Sequence, residues 1–264
     1  MPADTSPKGF YEEMGFYVHD APLFPEDLVR RAVAGMDAIR EGRYETGISP
    51  EESYWNPGDA QDKLCKIEMP QFANRAILEL VSFPGLGRLA AEITGARMVQ
   101  AWWVQLLYKP PAAHAAVQGT NVGWHQDRQY WDVWTPESEL FTAWVALSDV
   151  TAGAGPMVFV PRSHRWGVRN EGDFFSQDLL AQRGGMRLPE EARWMEVPAI
   201  LPPGGVSFHD QLTFHASGPN LSGAPRRSIA IHLRTGQSRP VLDKRSGLAR
   251  YIDDPGKCPI LYGG

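Results

Sequence analysis

Apolar positions recur every three to four residues in two stretches of the first hundred residues, and every second residue after that. Pro25-Glu26-Asp27 opens a segment in which Leu28, Ala32, Val33, Met36 and Ile39 fall at helical spacing, and Gly42 closes it. Pro84 to Thr94 repeats the device, with Leu86, Leu89, Ala90 and Ile93 on one stripe and Gly95 as the stop. From Met98 the period drops to two. Val99, Ala101, Trp103, Gln105 and Leu107 alternate with Gln100, Trp102, Val104, Leu106 and Tyr108 until Lys109-Pro110-Pro111 ends the strand. Both faces of that strand are apolar enough to be mostly buried. Further strands are predicted at 122–128, 141–148, 156–160, 205–209 and 228–234, bounded by turn sequences such as Gly153-Ala154-Gly155-Pro156 and Leu201-Pro202-Pro203-Gly204-Gly205. Helices followed by antiparallel strands predict an α+β fold, a β-sandwich or barrel covered by N-terminal helices. The polar stretch 162–195, which carries Gly184-Gly185, reads as an insertion or lid between strands.

Composition narrows the function classes. A chain of 264 residues that is 43% hydrophobic and 22% charged can bury one substantial core or two small ones, which excludes disorder. The net charge is −5 and no basic block is longer than Arg226-Arg227, so nucleic acid is not the expected partner. The first twenty residues hold Asp4, Lys8, Glu12, Glu13 and Asp20 rather than an apolar leader, and no run approaches the roughly eighteen apolar residues of a membrane span. A cytoplasmic protein without a membrane partner is expected. Cys65 and Cys258 lie far apart without a CxxC, which argues for two bland thiols rather than a disulfide scaffold or thiolate zinc site.

Candidate chemistry begins at Trp124-His125-Gln126-Asp127. Of the seven histidines only His125 has a carboxylate two residues on, and on a strand residues i and i+2 share a face, so both can converge on one ion. Downstream, His215 stands just before the Gly218-Pro219-Asn220 turn. Two imidazoles and one carboxylate make the facial triad that leaves three positions open on non-haem Fe(II), although zinc can use the same ligands with a water. A 2-oxo dicarboxylate at those positions would need a cationic fork for its far carboxylate, and Arg226 and Arg227 follow His215 by eleven and twelve residues. Alternation puts one arginine beside Ser228, Ala230 and His232 and the other beside Ile229, Ile231 and Leu233, without saying which face looks inward.

These residues carry a resemblance. His125-Gln126-Asp127, Tyr130-Trp131, the stretch from Gly155-Pro156 to Ser163-His164, His215-Ala216-Ser217-Gly218-Pro219-Asn220 and Arg226 resemble, in order, the motifs of the phytanoyl-CoA dioxygenase family of Fe(II)/2-oxoglutarate oxygenases. The similarity covers roughly residues 10 to 236, and its eleven-residue spacing from His215 favours Arg226 as the anchor. It implies a double-stranded β-helix, a cupin-like jelly roll with N-terminal helices packed on one sheet. One domain over 1–264 is expected, with a helical part over about 1–96, a β-helix core over about 97–236 and a C-terminal tail over 237–264. The resemblance further implies that His125, Asp127 and His215 hold Fe(II), and that Arg226, Lys66, Gln105, Trp144 and Ser217 line the 2-oxoglutarate pocket.

On this reading O₂ is the co-reactant, succinate and CO₂ are released, and an unactivated C–H bond of a small-molecule metabolite is hydroxylated, with desaturation, epoxidation or ring formation left open. Asp127 argues against halogenation, where a small residue takes the carboxylate's place. Two rival readings are a small-molecule-binding β-barrel with a structural metal and a zinc-dependent hydrolase using the same ligands. Trp102, Trp103, Tyr130, Trp131 and Trp134 read as barrel core or rim, with some able to wall a substrate site. Arg128 alternates away from the metal face of a regular strand, whereas Arg162, Arg165 and Arg169, after the turn at Pro161, read as surface arginines that could meet an acidic substrate.

Overall fold

The computed structural model describes residues 4, 6–19, 21–51, 54–111 and 119–264. Its N-terminal part holds α1 (Pro7–Met14), β1 (Phe16–His19), α2 (Glu26–Arg40), β2 (Cys65–Glu68), α3 (Arg75–Val81) and α4 (Pro84–Thr94). The β-core follows with β3 (Val99–Lys109), β4 (Val122–His125), β5 (Leu140–Ala146), β6 (Met157–Phe159), α5 (Leu179–Gly185), β7 (Val197–Pro198), β8 (Val206–Asp210), β9 (His215–Ser217) and β10 (Arg226–Thr235), and β11 (Ile260–Tyr262) closes the chain.

Both helices read from periodicity are present. Pro25 caps α2, Glu26 and Asp27 place negative charge in its first turn and Arg40 ends it, as the helix dipole favours. Its stripe of Leu28, Ala32, Met36 and Ile39 is buried. α4 begins on Pro84 and stops at Gly95, whose φ of 71° is the left-handed conformation that favours glycine. A β-carbon on Gly87 would sit 2.1 Å from the Leu261 carbonyl oxygen, so only glycine lets α4 lie this close to β11.

The strands form two antiparallel sheets facing each other, the arrangement of a jelly roll. The larger runs β1-β8-β5-β10-β3-β11, with β2 also paired to β3, so β2 and β11 divide one edge of β3 between them. The smaller runs β4-β9-β6-β7. On β10, Ile229, Ile231 and Leu233 enter the apolar layer shared with α2, α3 and α4, while Arg226, Ser228, Ala230 and His232 point into the barrel. Helices thus cover one sheet, and the barrel interior between the sheets receives the polar residues.

Three expectations need correction. The residues before 97 are not only helical, because β1 and β2 join the larger sheet, β1 pairing Phe16 with His209 of β8 and β2 pairing Cys65 with Tyr108 of β3. The C-terminal stretch over 237–264, expected as a tail outside the β-core, returns to the larger sheet, because β11 pairs with β3. The strand predicted over 122–128 ends at His125, and Asp127–Tyr130 turns as a 3-10 helix. Among the described residues no helix is long and apolar enough to cross a membrane.

Candidate active site

His125 ends β4, Asp127 opens the following 3-10 turn and His215 begins β9 directly opposite His125. Gln126 between them is extended, at φ −108° and ψ 133°, so the i, i+2 relation survives although the strand has ended. Nε2 of each histidine stands 3.6 Å from Asp127 Oδ1, and one donor atom from each of the three residues lies within 4.8 Å of the others. Nδ1 of His125 is 2.8 Å from the Gly123 carbonyl and Nδ1 of His215 is 2.9 Å from that of Thr213. A carbonyl only accepts, so each Nδ1 carries the proton and each Nε2 presents a lone pair to the shared space.

The other carboxylate oxygen is held from behind. Asp127 Oδ2 accepts from Thr142 Oγ1 at 2.7 Å and from His209 Nε2 at 3.1 Å, and Thr142 Oγ1 is 2.8 Å from His232 Nδ1. Burial opposes ionisation of Asp127, yet the neighbouring His215 imidazole and the hydrogen bonds of His125 and His209 hold its carboxyl well below the usual range. Burial disfavours the charged form of two of the imidazoles: desolvation, then His125 and His209, push His215 well down, and desolvation takes His232 to about 4. His209, His232 and Thr142 are not among the site residues that the sequence singles out. The signal available was parity, since His232 shares the barrel face with Arg226, and His209 lies opposite Thr142.

Arg226 and Arg227 part company. Arg227 points outward, 3.2 Å from Asp37 of α2 and over the ring of Tyr108. Arg226 is 1% exposed inside the barrel, where Nη1 donates to the Gly155 carbonyl at 2.7 Å and Ser217 Oγ at 2.9 Å, and the guanidinium lies 5.0 Å from the Trp144 ring. Desolvation brings it down to about 9.

A cavity of about 520 Å³ opens from the triad, lined by Lys66, Gln105, Tyr130, Trp131 and Phe174 among others. Lys66 pairs with Glu68 at 2.9 Å and lies over Tyr54 and Phe174, and Glu68 also accepts from Trp103 Nε1 at 2.6 Å. Arg250 pairs with Glu51 at 2.6 Å and lies over Trp103. Phe174 and Phe175 come from the predicted insertion, which packs along β4: Gly123 N donates to the Phe174 carbonyl, and the Gln182 side chain meets both backbone groups of Trp124. The tryptophans divide, with Trp102 and Trp134 in the core and Trp103 and Trp131 on the cavity. Arg128 donates to the carbonyls of Trp131 and Trp134, Arg162 and Arg165 pair with Glu13, and Arg169 pairs with Glu171.

The donor set fits a divalent ion, because two imidazole lone pairs and one carboxylate oxygen meet on one side of an open cavity. Deeper in the barrel, Trp144 Nε1, Ser207 Oγ and Arg226 Nε are buried without a hydrogen-bond partner among the described residues, and Trp144 is the register partner of Ser207 on the neighbouring strand. Unpaired buried polar groups cost about 1–3 kcal/mol each, so donors gathered beside a guanidinium fit an acceptor-rich anion such as a dicarboxylate.

The family model for phytanoyl-CoA dioxygenase (PhyH) matches residues 11–228. An ectoine dioxygenase of Bordetella parapertussis is 27% identical over 230 residues, 83% of this chain and 71% of that protein. A probable alpha-ketoglutarate-dependent hypophosphite dioxygenase of Stutzerimonas stutzeri is 25% identical over 190 residues, 70% of this chain and 62% of that protein. Among solved structures, the non-haem alpha-ketoglutarate-dependent carbocyclase SnoK of nogalamycin biosynthesis shares the fold at a TM-score of 0.68 and 22% identity, covering 96% of this chain and 94% of that one. The chain belongs to the phytanoyl-CoA dioxygenase family, and with it to the dioxygenases that work with iron, 2-oxoglutarate and O₂.

Proposed function

We propose that this dioxygenase hydroxylates an unactivated C–H bond of a small-molecule metabolite, with His125, Asp127 and His215 as iron ligands and Arg226 as the anchor of the far carboxylate of 2-oxoglutarate. The observation that carries the assignment is the meeting of two Nε2 lone pairs and Asp127 Oδ1 beside the unpartnered donors of Trp144 and Arg226. Iron with its 2-oxo acid supplies the activation of O₂ when bound. Thr142 and His209 keep Asp127 ionised and turn its Oδ1 toward the two imidazoles, and Arg226, Ser217 and Trp144 hold the cosubstrate's distal end. Lys66 and Gln105 line the same space nearer the cavity. Phe174 and Phe175 exclude water from above, so that the C–H bond meets the reacting centre in a dry site.

The relatives' names point to unlike substrates, ectoine and hypophosphite, so neither is carried over. The cavity favours a compound with a ring-bearing or apolar body and no net charge, because Tyr54, Trp103, Trp131 and Phe174 wall it while Lys66 and Arg250 are each neutralised by a glutamate. One domain carries the whole site, as the continuous apolar layer from α2 to β11 supports. The cytoplasm is the compartment on this reading, consistent with the free, buried thiols of Cys65 and Cys258.

Anaerobic titration of the metal-free protein with Fe(II) and then 2-oxoglutarate tests the assignment before a substrate is known. A visible charge-transfer band that Asp127 and His215 variants lose is the expected result. Metal binding without a band would sink it.

A further inference from the structure

Lys109 ends β3 and is 0% exposed, an unusual place for a lysine. Its Nζ donates to Ser217 Oγ at 2.6 Å, to the Ser217 carbonyl at 3.1 Å and to the Gly218 carbonyl. Ser217 Oγ also accepts from Arg226 Nη1 at 2.9 Å and is 2.9 Å from the Gly155 carbonyl, to which it donates. One hydroxyl therefore bridges two buried cations whose residues face each other across β3 and β10. Among the described residues neither cation has a carboxylate at ion-pair distance. Desolvation and then the Arg226 charge pull the Lys109 ammonium well below its usual range. Removing an unpaired cation from water costs several kcal/mol, and a second beside it adds repulsion. Satisfying three oxygen atoms does not require that expense, whereas a ligand bringing an anionic carboxylate against the unpartnered Arg226 Nε would compensate both charges.

We infer that Lys109 is a positioning residue of the cosubstrate site, which through Ser217 and Arg226 backs the barrel floor with a second cationic group whose charge a bound carboxylate stabilises, and so selects a 2-oxo acid with a second carboxylate. The inference rests on the proposed role of Arg226. Lys109 does not touch the ligand. It orients the Ser217 hydroxyl and adds charge behind Arg226.

The test compares two keto-acids on the Fe(II)-loaded protein under anaerobic conditions, with the charge-transfer band read as binding. 2-Oxoglutarate and 2-oxovalerate have the same chain length, but the latter ends in a methyl group. Lys109→Met is expected to weaken 2-oxoglutarate by about tenfold or more while 2-oxovalerate shifts by less than about threefold. Lys109→Gln, which keeps a donor without the charge, is expected to show the same split. Unchanged 2-oxoglutarate affinity would overturn the inference. Equal loss of both keto-acids, or failure of both variants to fold, would also overturn it, by making the lysine a strut for β9. Arg226→Met separates the two layers of the argument: if it leaves 2-oxoglutarate binding intact, the anchor assignment itself fails. If it weakens binding while Lys109→Met does not, only the present inference falls.

Discussion

The hydroxyl of Thr142 donates to Oδ2 of Asp127 over 2.7 Å, which leaves Oδ1 alone facing the two imidazoles. A ligand held in this way pays less to become ordered when the ion arrives. Thr142→Val should therefore weaken Fe(II) affinity by about 10- to 100-fold, and Thr142→Ser should restore most of it. Competition against a metal chelator measures both. Equal affinity in the valine variant would show that the hydrogen bond does not orient the carboxylate.

His215→Ala and Asp127→Gly should each abolish succinate formation, since two remaining ligands hold the ion poorly. Metal binding followed by calorimetry should fail in parallel. Activity within a few-fold of the parent protein would mean that the triad is misassigned.

Arg226→Met and Arg227→Met should differ in kind. The first raises the 2-oxoglutarate requirement by about a hundredfold, as expected for loss of a buried charged partner. The second breaks outer-face contacts, the partly exposed pair with Asp37 and the stacking over Tyr108, and costs about 0–1 kcal/mol of stability. Steady-state kinetics in 2-oxoglutarate, together with urea unfolding, separate the two. The opposite ranking would transfer the anchor to the outer face.

Burial raises the Asp210 carboxyl to about 6, against the pull of the Leu212 N–H and with a further push from Asp127. The folded value lies above the unfolded one, so folding takes up a proton between them. Stability from this group is full below the unfolded value and is lost as pH rises through about 6. Asp210→Asn should escape that loss, its advantage over the parent growing by about 1–1.5 kcal/mol between pH 5 and pH 7.5. Urea unfolding at the two pH values is the measurement, and a constant difference would show that Asp210 is solvated.

What could be read from the chain followed from local signals. α2 and α4 carry their own stops and stripes, and the alternation of β3 runs for eleven residues before the prolines. The triad was legible because His125 and Asp127 are sequence neighbours and His215 heads a recognisable turn. The side of Arg226 was not, because both faces of β10 are buried: one meets the helices and the other the barrel, so polarity does not distinguish outside from inside. Nor were β1 and β2, each four residues long, since their pairing depends on distant strands. Lys109 looked like the end of a strand and nothing more. Its meaning depends on Ser217, 108 residues later, and is visible only when the sheets face each other.

The segment that carries Phe174 over the cavity is also the neighbour of β4, an edge strand of the smaller sheet. The Gln182 amide occupies both backbone groups of Trp124, doing with one side chain what a further strand would do. If the segment swings away to admit a bulky molecule, that edge becomes a template on which another chain can add a strand. Strand addition at the β4 edge is the hazard that the Gln182 cover guards against.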